Sequence, residues 1–412
     1  MKYGVIGEHL KHSFSPEIHA QIGYYQYEVL EIEPQNLEAF MKERDFIGIN
    51  VTIPYKEKVI PLLDYVDPVA LEIGAVNTVV NNNGKLYGYN TDYLGMKALV
   101  TRVGVEIKGK KVLIIGTGGT SKTASSLLRD LGAREIIYVS HRKVNGAFSY
   151  EEVYAYHTDC EIIFNTSPVG MYPNNDQIPL NLDAFTGLEG VVDVVYNPVR
   201  TNLVQRAQAL GKKAEGGLYM LGSQAVFASE HFFGKHFDIS LLDKVYSAVL
   251  SLKNNITLIG MPCSGKTTVG KLLAEKTGKK FVDTDEEIVK KIGTDIPKYF
   301  EQYGESAFRQ IECEVIEEIS KQNNLVIATG GGAILNPDNI RRLKQNGLVY
   351  FLDRDLSLLC PTSDRPLSNN RESLEKRYKE RYEIYRSSCD VRIDGNGSAQ
   401  SVMEEIYKDY RK

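Results

Sequence analysis

The chain has no tryptophan, no Cys-x-x-Cys pair, and no apolar run approaching the roughly 18 residues a membrane helix needs. Its five cysteines, Cys160, Cys263, Cys313, Cys360 and Cys389, are odd in number and scattered. That spacing excludes a disulfide framework or a cysteine zinc site and reads as reduced thiols. An excess of either charge is also missing, since 49 Lys and Arg stand against 53 Asp and Glu, a net charge of −4. A nucleic-acid surface is therefore not expected, and Lys279-Lys280 and Arg341-Arg342 read as solvated faces. Met1 runs directly into the strand-like Lys2-Tyr3-Gly4-Val5-Ile6-Gly7, which leaves no room for a signal peptide. The expectation is a cytoplasmic protein acting on small molecules, with no membrane or nucleic-acid partner and an open oligomeric state.

What is present is a long chain of strand and helix patterns. At 412 residues, 42 % of them apolar, it has material for two or three cored domains. Tyr27–Ile32 and Ile47–Ile53 read as strands, and Asn77–Asn90 as a hairpin turning on Asn83-Gly84. From Lys110 the pattern becomes regular, with strands at Val112–Ile115, Ile136–Val139, Glu161–Phe164 and Val191–Val194 separated by helix-length segments. That alternation predicts a parallel doubly wound sheet. Val226–Leu252 is expected to be helical and to pack back on the first domain. After Lys253-Asn254-Asn255 a second series begins, with strands at Ile256–Ile259, Phe281–Val282, Leu325–Ala328, Val349–Leu352 and Val391–Ile393. The expected architecture is α/β throughout. Residues 1–253 form one domain, with a substrate subdomain (about 1–100 plus the C-terminal helices) and a Rossmann-like nucleotide subdomain (about 101–225). Residues 255–412 form a P-loop domain with a parallel sheet.

Two nucleotide cradles stand out. Gly260-Met261-Pro262-Cys263-Ser264-Gly265-Lys266-Thr267 is a complete P-loop between a strand and a helix, which argues against a chance glycine-rich turn. In such a loop consecutive backbone N–H groups face the phosphates and the helix presents its positive end. Gly260 and Gly265 allow the close approach, with Ser264 and Thr268 beside them; Lys266 reaches the β- and γ-phosphates, and Thr267 offers its hydroxyl to magnesium. Asp283-Thr284-Asp285 puts two carboxylates just past a strand, one able to hold hydrated magnesium and the other to take a proton from a hydroxyl. In Gly304–Glu312, helical spacing sets Phe308, Ile311 and Val315 on a buried stripe and Arg309 beside Glu312. On spacing alone that pair reads as a surface ion pair. Gly330-Gly331-Gly332 after a strand lets backbone approach a small ligand.

With the later Arg365-Pro366-Leu367, these segments together resemble shikimate kinase over essentially all of 255–412. The resemblance implies ATP and Mg2+, with Asp283 in the magnesium site and Asp285, Arg309 and Gly331 on shikimate. It also implies Arg381 as a second carboxylate-binding arginine and Arg365 as the arginine of a lid. Lys266, Asp285 and Arg365 would then be the catalytic groups. The chain departs from the family at Cys360, where an arginine usually lies against adenine, and the stretch from there to Arg365 is short.

The other cradle is Gly116-Thr117-Gly118-Gly119 after the Val112–Ile115 strand, a dinucleotide-binding turn. At the end of the next strand, His141, Arg142 and Lys143 stand where an acidic residue would bind the ribose of NAD. Their charge favours the 2′-phosphate of NADP. Ser13 and Ser15, Thr52 and Lys56, Asn77, and Asn90-Thr91-Asp92 are each unremarked as turns or strand ends. As an ordered set with Asn165-Thr166-Ser167-Pro168, Asp193-Val194-Val195-Tyr196 and Gly217–Gln224, they resemble shikimate dehydrogenase over about 1–253. The resemblance implies Lys56 and Asp92 as the catalytic pair. Ser13, Ser15, Asn77, Tyr196 and Gln224 would face the substrate, with Thr52 and Asn90 as further candidates and Gly217 on the NADP side. His141 replaces the asparagine usual before the NADP-binding arginine.

Joined, the two resemblances imply a bifunctional enzyme. NADPH would reduce 3-dehydroshikimate to shikimate, and ATP would phosphorylate shikimate to shikimate 3-phosphate, on the route to chorismate and the aromatic amino acids. The alternative is a quinate/shikimate dehydrogenase fused to a kinase-like domain of reduced or regulatory function. The Ser13 and Ser15 pair and the basic Arg142 region favour the first.

Overall fold

The structure is a computed structural model describing residues 2–10, 14–23, 25–359 and 371–411. It divides into two compact units, Met1–Leu250 and Ser251–Lys412.

The first unit holds two sheets. Strands β1 (Tyr3–Gly7), β2 (Glu28–Glu31), β3 (Gly48–Val51), β4 (Tyr65–Val66), β5 (Thr78–Asn82) and β6 (Lys85–Tyr89) make a mixed sheet in the order β2-β1-β3-β5-β6-β4. Every residue of β3 is buried, whereas the edge strand β2 is exposed along its length. The β5–β6 turn has Asn83 and Gly84 both at positive φ, 51° and 82°, as a two-residue type I′ turn requires. Strands β7 (Lys111–Ile115), β8 (Glu135–Val139), β9 (Ile162–Asn165), β10 (Gly190–Asp193) and β11 (Lys213–Glu215) form an all-parallel sheet in the order β11-β10-β9-β7-β8. Its strands alternate between two cores, as a period of two dictates. Val112 and Ile114 pack with Leu99, Leu127 and Val226, whereas Leu113 and Ile115 pack with Val153, Leu203 and Ala207 on the other face.

The helix expected over Val226–Leu252 is two helices, Leu218–Phe233 and Ser240–Lys253. Gly234 ends the first in the left-handed conformation (φ 58°), and Asp238 starts the second by accepting from Ser240 N at 2.9 Å. Apolar content hid these stop and start signals from the sequence reading. No described helix is long and apolar enough to cross a membrane.

The second unit is one parallel sheet of β12 (Asn255–Ile259), β13 (Lys280–Asp283), β14 (Leu325–Ala328), β15 (Gly347–Asp353) and β16 (Val391–Asp394), in the order β13-β14-β12-β15-β16. Alternation again divides its core. Ile327, Val349 and Phe351 face the helices Ile296–Ser320 and Arg371–Ser388, while Val326, Tyr350 and Leu352 face Lys266–Thr277 and Ala399–Tyr410. Phe351 is 1 % exposed and its ring stacks on Tyr385 with centroids 5.3 Å apart. Phe351→Ala should destabilise this unit by about 3–5 kcal/mol. In urea titrations the second unit's transition should move to a lower midpoint while the first unit's stays in place; coincident shifts of both would contradict the independence of the two cores.

Candidate active sites

In the first unit a cavity of about 980 Å³ opens at the carboxyl ends of β1 and β3. Lys56 and Asp92 meet there, with Lys56 Nζ 2.5 Å from Asp92 Oδ2 and both side chains partly open to solvent. The lysine is held by the turn after β3. Tyr55 N donates to Thr52 O at 2.9 Å, Val76 N donates to Lys56 O at 2.8 Å, and the buried Tyr55 hydroxyl donates to Ile32 O. Asp92 lies in the first turn of the helix Thr91–Val103, where a carboxylate also suits the helix's positive end. Asn77 ties the two together, because its Oδ1 accepts from Thr91 N at 2.7 Å.

Ser15, Thr52, Asn77, Tyr196, Gly217 and Gln224 line the same cavity. Ser13 lies outside the described residues. Asn90 does not line the cavity: its Oδ1 caps the helix by accepting from Tyr93 N at 3.1 Å and its Nδ2 donates to Ala75 O at 2.9 Å. Its amide is spent on structure, and a substrate contact is not supported. Asn50, two residues before Thr52, was not singled out from the sequence. It is 7 % exposed, lines the cavity, donates to Asn77 O and Thr78 Oγ1, and accepts from Tyr27 OH at 2.6 Å. Behind it the Tyr27 ring stacks on His19 at 3.7 Å, and burial pushes the imidazole's pKa down to about 3, so it is neutral.

The glycine turn after β7 borders this cavity through Thr120. Gly116 has φ 101°, and a Cβ there would lie 3.3 Å from Ser167 and Thr166 Oγ1; space at Gly118 and Gly119 is open. An unencumbered turn at the N-terminus of the helix Gly119–Asp130 fits a pyrophosphate. The loop opposite is fixed by the fully buried Asp193, which accepts from Thr201 Oγ1 at 2.6 Å, Asn165 Nδ2 at 2.9 Å and Val195 N at 3.0 Å. Burial pushes its carboxyl up to about 7 against the pull of those donors. Asn165 in turn accepts from Ser167 N and Oγ. A Cβ on Gly217 would come within 2.1 Å of Val194 O, so only glycine fits between β10 and the helix Leu218–Phe233. His141, Arg142 and Lys143 are exposed just past β8, with the His141 ring 4.4 Å from that of Tyr150.

In the second unit the P-loop follows β12. Gly260, Cys263 and Gly265 have φ of 154°, 64° and 93°, turning the backbone N–H groups inward before the helix Lys266–Thr277. Lys266 Nζ donates to Gly260 O and Met261 O, each at 2.9 Å, and Ser264 is buried, whereas Thr268 is exposed on the first turn. Thr267 Oγ1 donates to Asp283 Oδ2 at 2.8 Å. Among the described residues no group of three His, Cys, Asp or Glu side chains is placed to hold a metal. A hydrated magnesium held by Thr267, Asp283 and phosphate oxygens fits that arrangement.

Beside the loop the second site is crowded with charge. Arg309 Nη1 lies 2.7 Å from Glu312 Oε2 and its Nη2 3.1 Å from Glu305 Oε1. A Cβ on Gly330 would lie 2.6 Å from Asp285 Oδ1 and 3.1 Å from Glu312 Oε1, and one on Gly332 2.2 Å from Arg309 Nη1. Gly331 O accepts from Arg381 Nη1 at 3.0 Å and from Tyr385 OH at 2.5 Å. Asp285, Arg309, the three glycines and Arg381 thus converge. The surface reading of the Arg309–Glu312 pair is corrected: Glu312 is 1 % exposed, and burial raises its pKa while Arg309 lowers it. The i,i+3 spacing could not reveal that a glycine strand end packs over the pair. Arg365 and Cys360 lie outside the described residues.

Comparisons with known proteins cover both units. The shikimate kinase family model matches residues 262–411, and that of the shikimate dehydrogenase substrate binding domain matches 5–79. The NADP(+) shikimate dehydrogenase of Clostridium beijerinckii is 36 % identical over 263 residues, spanning 60 % of this chain and 96 % of the relative. That of Halothermothrix orenii is 40 % identical over 260 residues, spanning 56 % and 90 %. Among solved structures, shikimate 5-dehydrogenase from Thermus thermophilus in complex with NADP(H) and shikimate has a TM-score of 0.54 at 30 % identity, covering 60 % of this chain and 98 % of that one. A chorismate mutase/shikimate 5-dehydrogenase fusion protein from Clostridium acetobutylicum has a TM-score of 0.57 at 32 % identity, covering 60 % and 96 %.

Removing the buried carboxylate would leave the Arg309 guanidinium with Glu305 alone. Glu312→Ala should cost on the order of 3 kcal/mol in the second unit, read by thermal unfolding, with Glu312→Gln intermediate. Stability equal to wild type in both variants would return the pair to a surface role.

Proposed function

The chain belongs to the shikimate dehydrogenase family and carries a shikimate kinase domain behind it, and from that premise we infer how its residues divide two consecutive reactions. It is a bifunctional shikimate-pathway enzyme, an NADP-dependent oxidoreductase joined to an ATP-dependent kinase. The first reaction reduces 3-dehydroshikimate to shikimate, and the second phosphorylates the hydroxyl that the first creates at C3.

The observation that carries the dehydrogenase assignment is the Lys56–Asp92 pair, 2.5 Å apart inside the 980 Å³ cavity. When bound, NADPH would supply the hydride. Lys56 Nζ, hydrogen-bonded to Asp92 Oδ2, would stabilise the charge developing on the ketone oxygen and give up a proton to it. Asp92 also accepts from a neighbouring ring hydroxyl, while Ser15, Asn77, Tyr196 and Gln224 orient the ring. Asn50, fixed by Tyr27, joins that set. Gly116, Gly118 and Gly119 would take the pyrophosphate, Gly217 would line the nicotinamide side, and His141, Arg142 and Lys143 would read the 2′-phosphate.

In the kinase, Thr267 and Asp283 would hold a magnesium ion, which would screen the phosphate charge. Lys266 leaves its loop carbonyls for the β- and γ-phosphates. Asp285 takes the proton of the attacking hydroxyl, and Arg309 and Arg381 grip the substrate carboxylate beside Gly331, with Arg365 assigned to the transferring phosphoryl group. Among the described residues Cys160, Cys313 and Cys389 are free thiols, which supports assigning the enzyme to the reducing cytoplasm.

One reaction tube tests the whole reading: 3-dehydroshikimate and NADPH first, then ATP and magnesium, with products identified by mass. NADPH loss followed by shikimate 3-phosphate is expected; turnover of quinate in preference to shikimate would overturn the substrate. Lys56→Ala should lower kcat for NADPH oxidation by about 10²-fold or more, with KM nearly unchanged. A change confined to KM would remove Lys56 from proton transfer. Lys266→Ala should abolish phosphorylation and leave NADPH oxidation at the wild-type rate.

A further inference from the structure

A second cavity in the first unit, of about 630 Å³, shares no lining residue with the catalytic one. It lies along β5 and β6, from Asn82 and Tyr87 to Tyr89, against the last turn of the helix Leu218–Phe233 and the residues after it. Aromatic rings dominate it. Tyr89 stacks on His231 with centroids 3.8 Å apart and planes 16° from parallel, and Tyr87 and Phe233 add further faces. Burial lowers the His231 pKa, so that ring is a neutral stacking surface. Positive charge comes from Lys235, whose Nζ lies 5.6 Å from the Phe233 centroid, with the exposed His236 beside it. Among the described residues Glu230 is the one carboxylate in the lining, and it is already engaged: Oε1 accepts from Phe237 N at 2.8 Å and Oε2 faces His236 Nδ1 at 3.4 Å.

We propose that this cavity is a second ligand site, selective for a planar aromatic carboxylate and coupled to the dehydrogenase cavity. Flat apolar faces suit an aromatic ring, and a rim ammonium without a carboxylate of its own in the lining suits an anion. Coupling follows from shared backbone. Tyr89 gives its ring to this cavity while its carbonyl accepts from Asn77 N at 3.0 Å in the other, and Asp92 stands three residues on. The helix that carries His231 also carries Gln224 two turns earlier, roughly 10 Å along its axis. A ligand that reorients the Tyr89–His231 stack therefore moves backbone joined to Asn77 and the helix that carries Gln224, both of which line the catalytic cavity.

The test uses the full chain with benzoate as the probe and cyclohexanecarboxylate as its non-planar counterpart. Saturation-transfer NMR reads binding, and the NADP-linked assay reads KM for shikimate. Benzoate is expected to bind with a Kd of about 1 mM or tighter, cyclohexanecarboxylate at least about ten-fold more weakly, and saturating benzoate to change KM about five-fold. Lys235→Glu, at an exposed position outside the catalytic machinery, should abolish both effects and keep the basal rate. No benzoate binding, equal binding of the two acids, or binding retained in Lys235→Glu would each overturn the site. An unchanged KM at saturation would overturn the coupling, and inhibition persisting in Lys235→Glu would move the ligand to the catalytic cavity. The coupling arm rests on the dehydrogenase reading; if that reading fails, NADP turnover is absent without benzoate, while NMR still reports the site.

Discussion

A strand buried on both faces has little room for a polar group except towards its ends. That constraint arranges nearly everything in this chain, because β3, β7, β9, β10, β12 and β14 are buried at every residue. Thr52 and Lys56 follow β3, Gly116 follows β7, Asn165 and Asp193 close β9 and β10, Gly260 follows β12 and Gly330 follows β14. Polar side chains from distant points of the sequence are thereby collected along one edge of each parallel sheet, where the helices begin and their positive ends face outward. The sites are a consequence of how parallel sheets bury their interiors; the particular side chains then choose the chemistry.

Once gathered, those groups need partners, since a buried charge or amide left alone costs more than a paired one returns. Asp193 illustrates the logic. Three donors converge on it, and its reward is a fixed Asn165 that in turn fixes Ser167 against the Gly116 turn. Glu312 plays the same part for Arg309, and Tyr385 with Arg381 does so for the Gly331 carbonyl. Glycine is required where these networks close. A methyl group on Gly217, Gly330 or Gly332 would collide with a carbonyl, a carboxylate or a guanidinium. Preorganisation of each site is thus carried by residues one step behind the reacting groups, and removing them would loosen geometry before it removed chemistry.

This division explains what could be read from the sequence. Strands with uninterrupted apolar runs, such as Val112–Ile115 and Leu325–Ala328, and the Asn83-Gly84 turn announce themselves through local pattern alone. So do the P-loop and the order of the dehydrogenase segments, whose residue types are dictated by a ligand. Residues serving another side chain leave no such trace. Glu312 looks like half of a surface ion pair until β14 is packed over it, and Asn90 looks like a ligand-binding amide until it is seen capping a helix. Asn50 stood beside Thr52 in plain view, but its burial depends on Tyr27, more than twenty residues away. The break at Gly234 was masked because apolar residues continue on both sides of it.

Two such units share one chain without sharing a cradle. Their sites ask different things of a nucleotide: one pairs a glycine turn with basic side chains at the adenosine end, the other winds a nest of N–H groups around the phosphates. Neither cradle can substitute for the other, so each unit keeps its own cofactor while shikimate alone passes between them. A covalent link raises the local concentration of tethered modules, not of a small product free to diffuse. What the fusion secures by itself is equal synthesis of both activities. Any further coordination must be built into the units as contacts between a second ligand and the catalytic groups, and the Tyr89 backbone is one physical route for it.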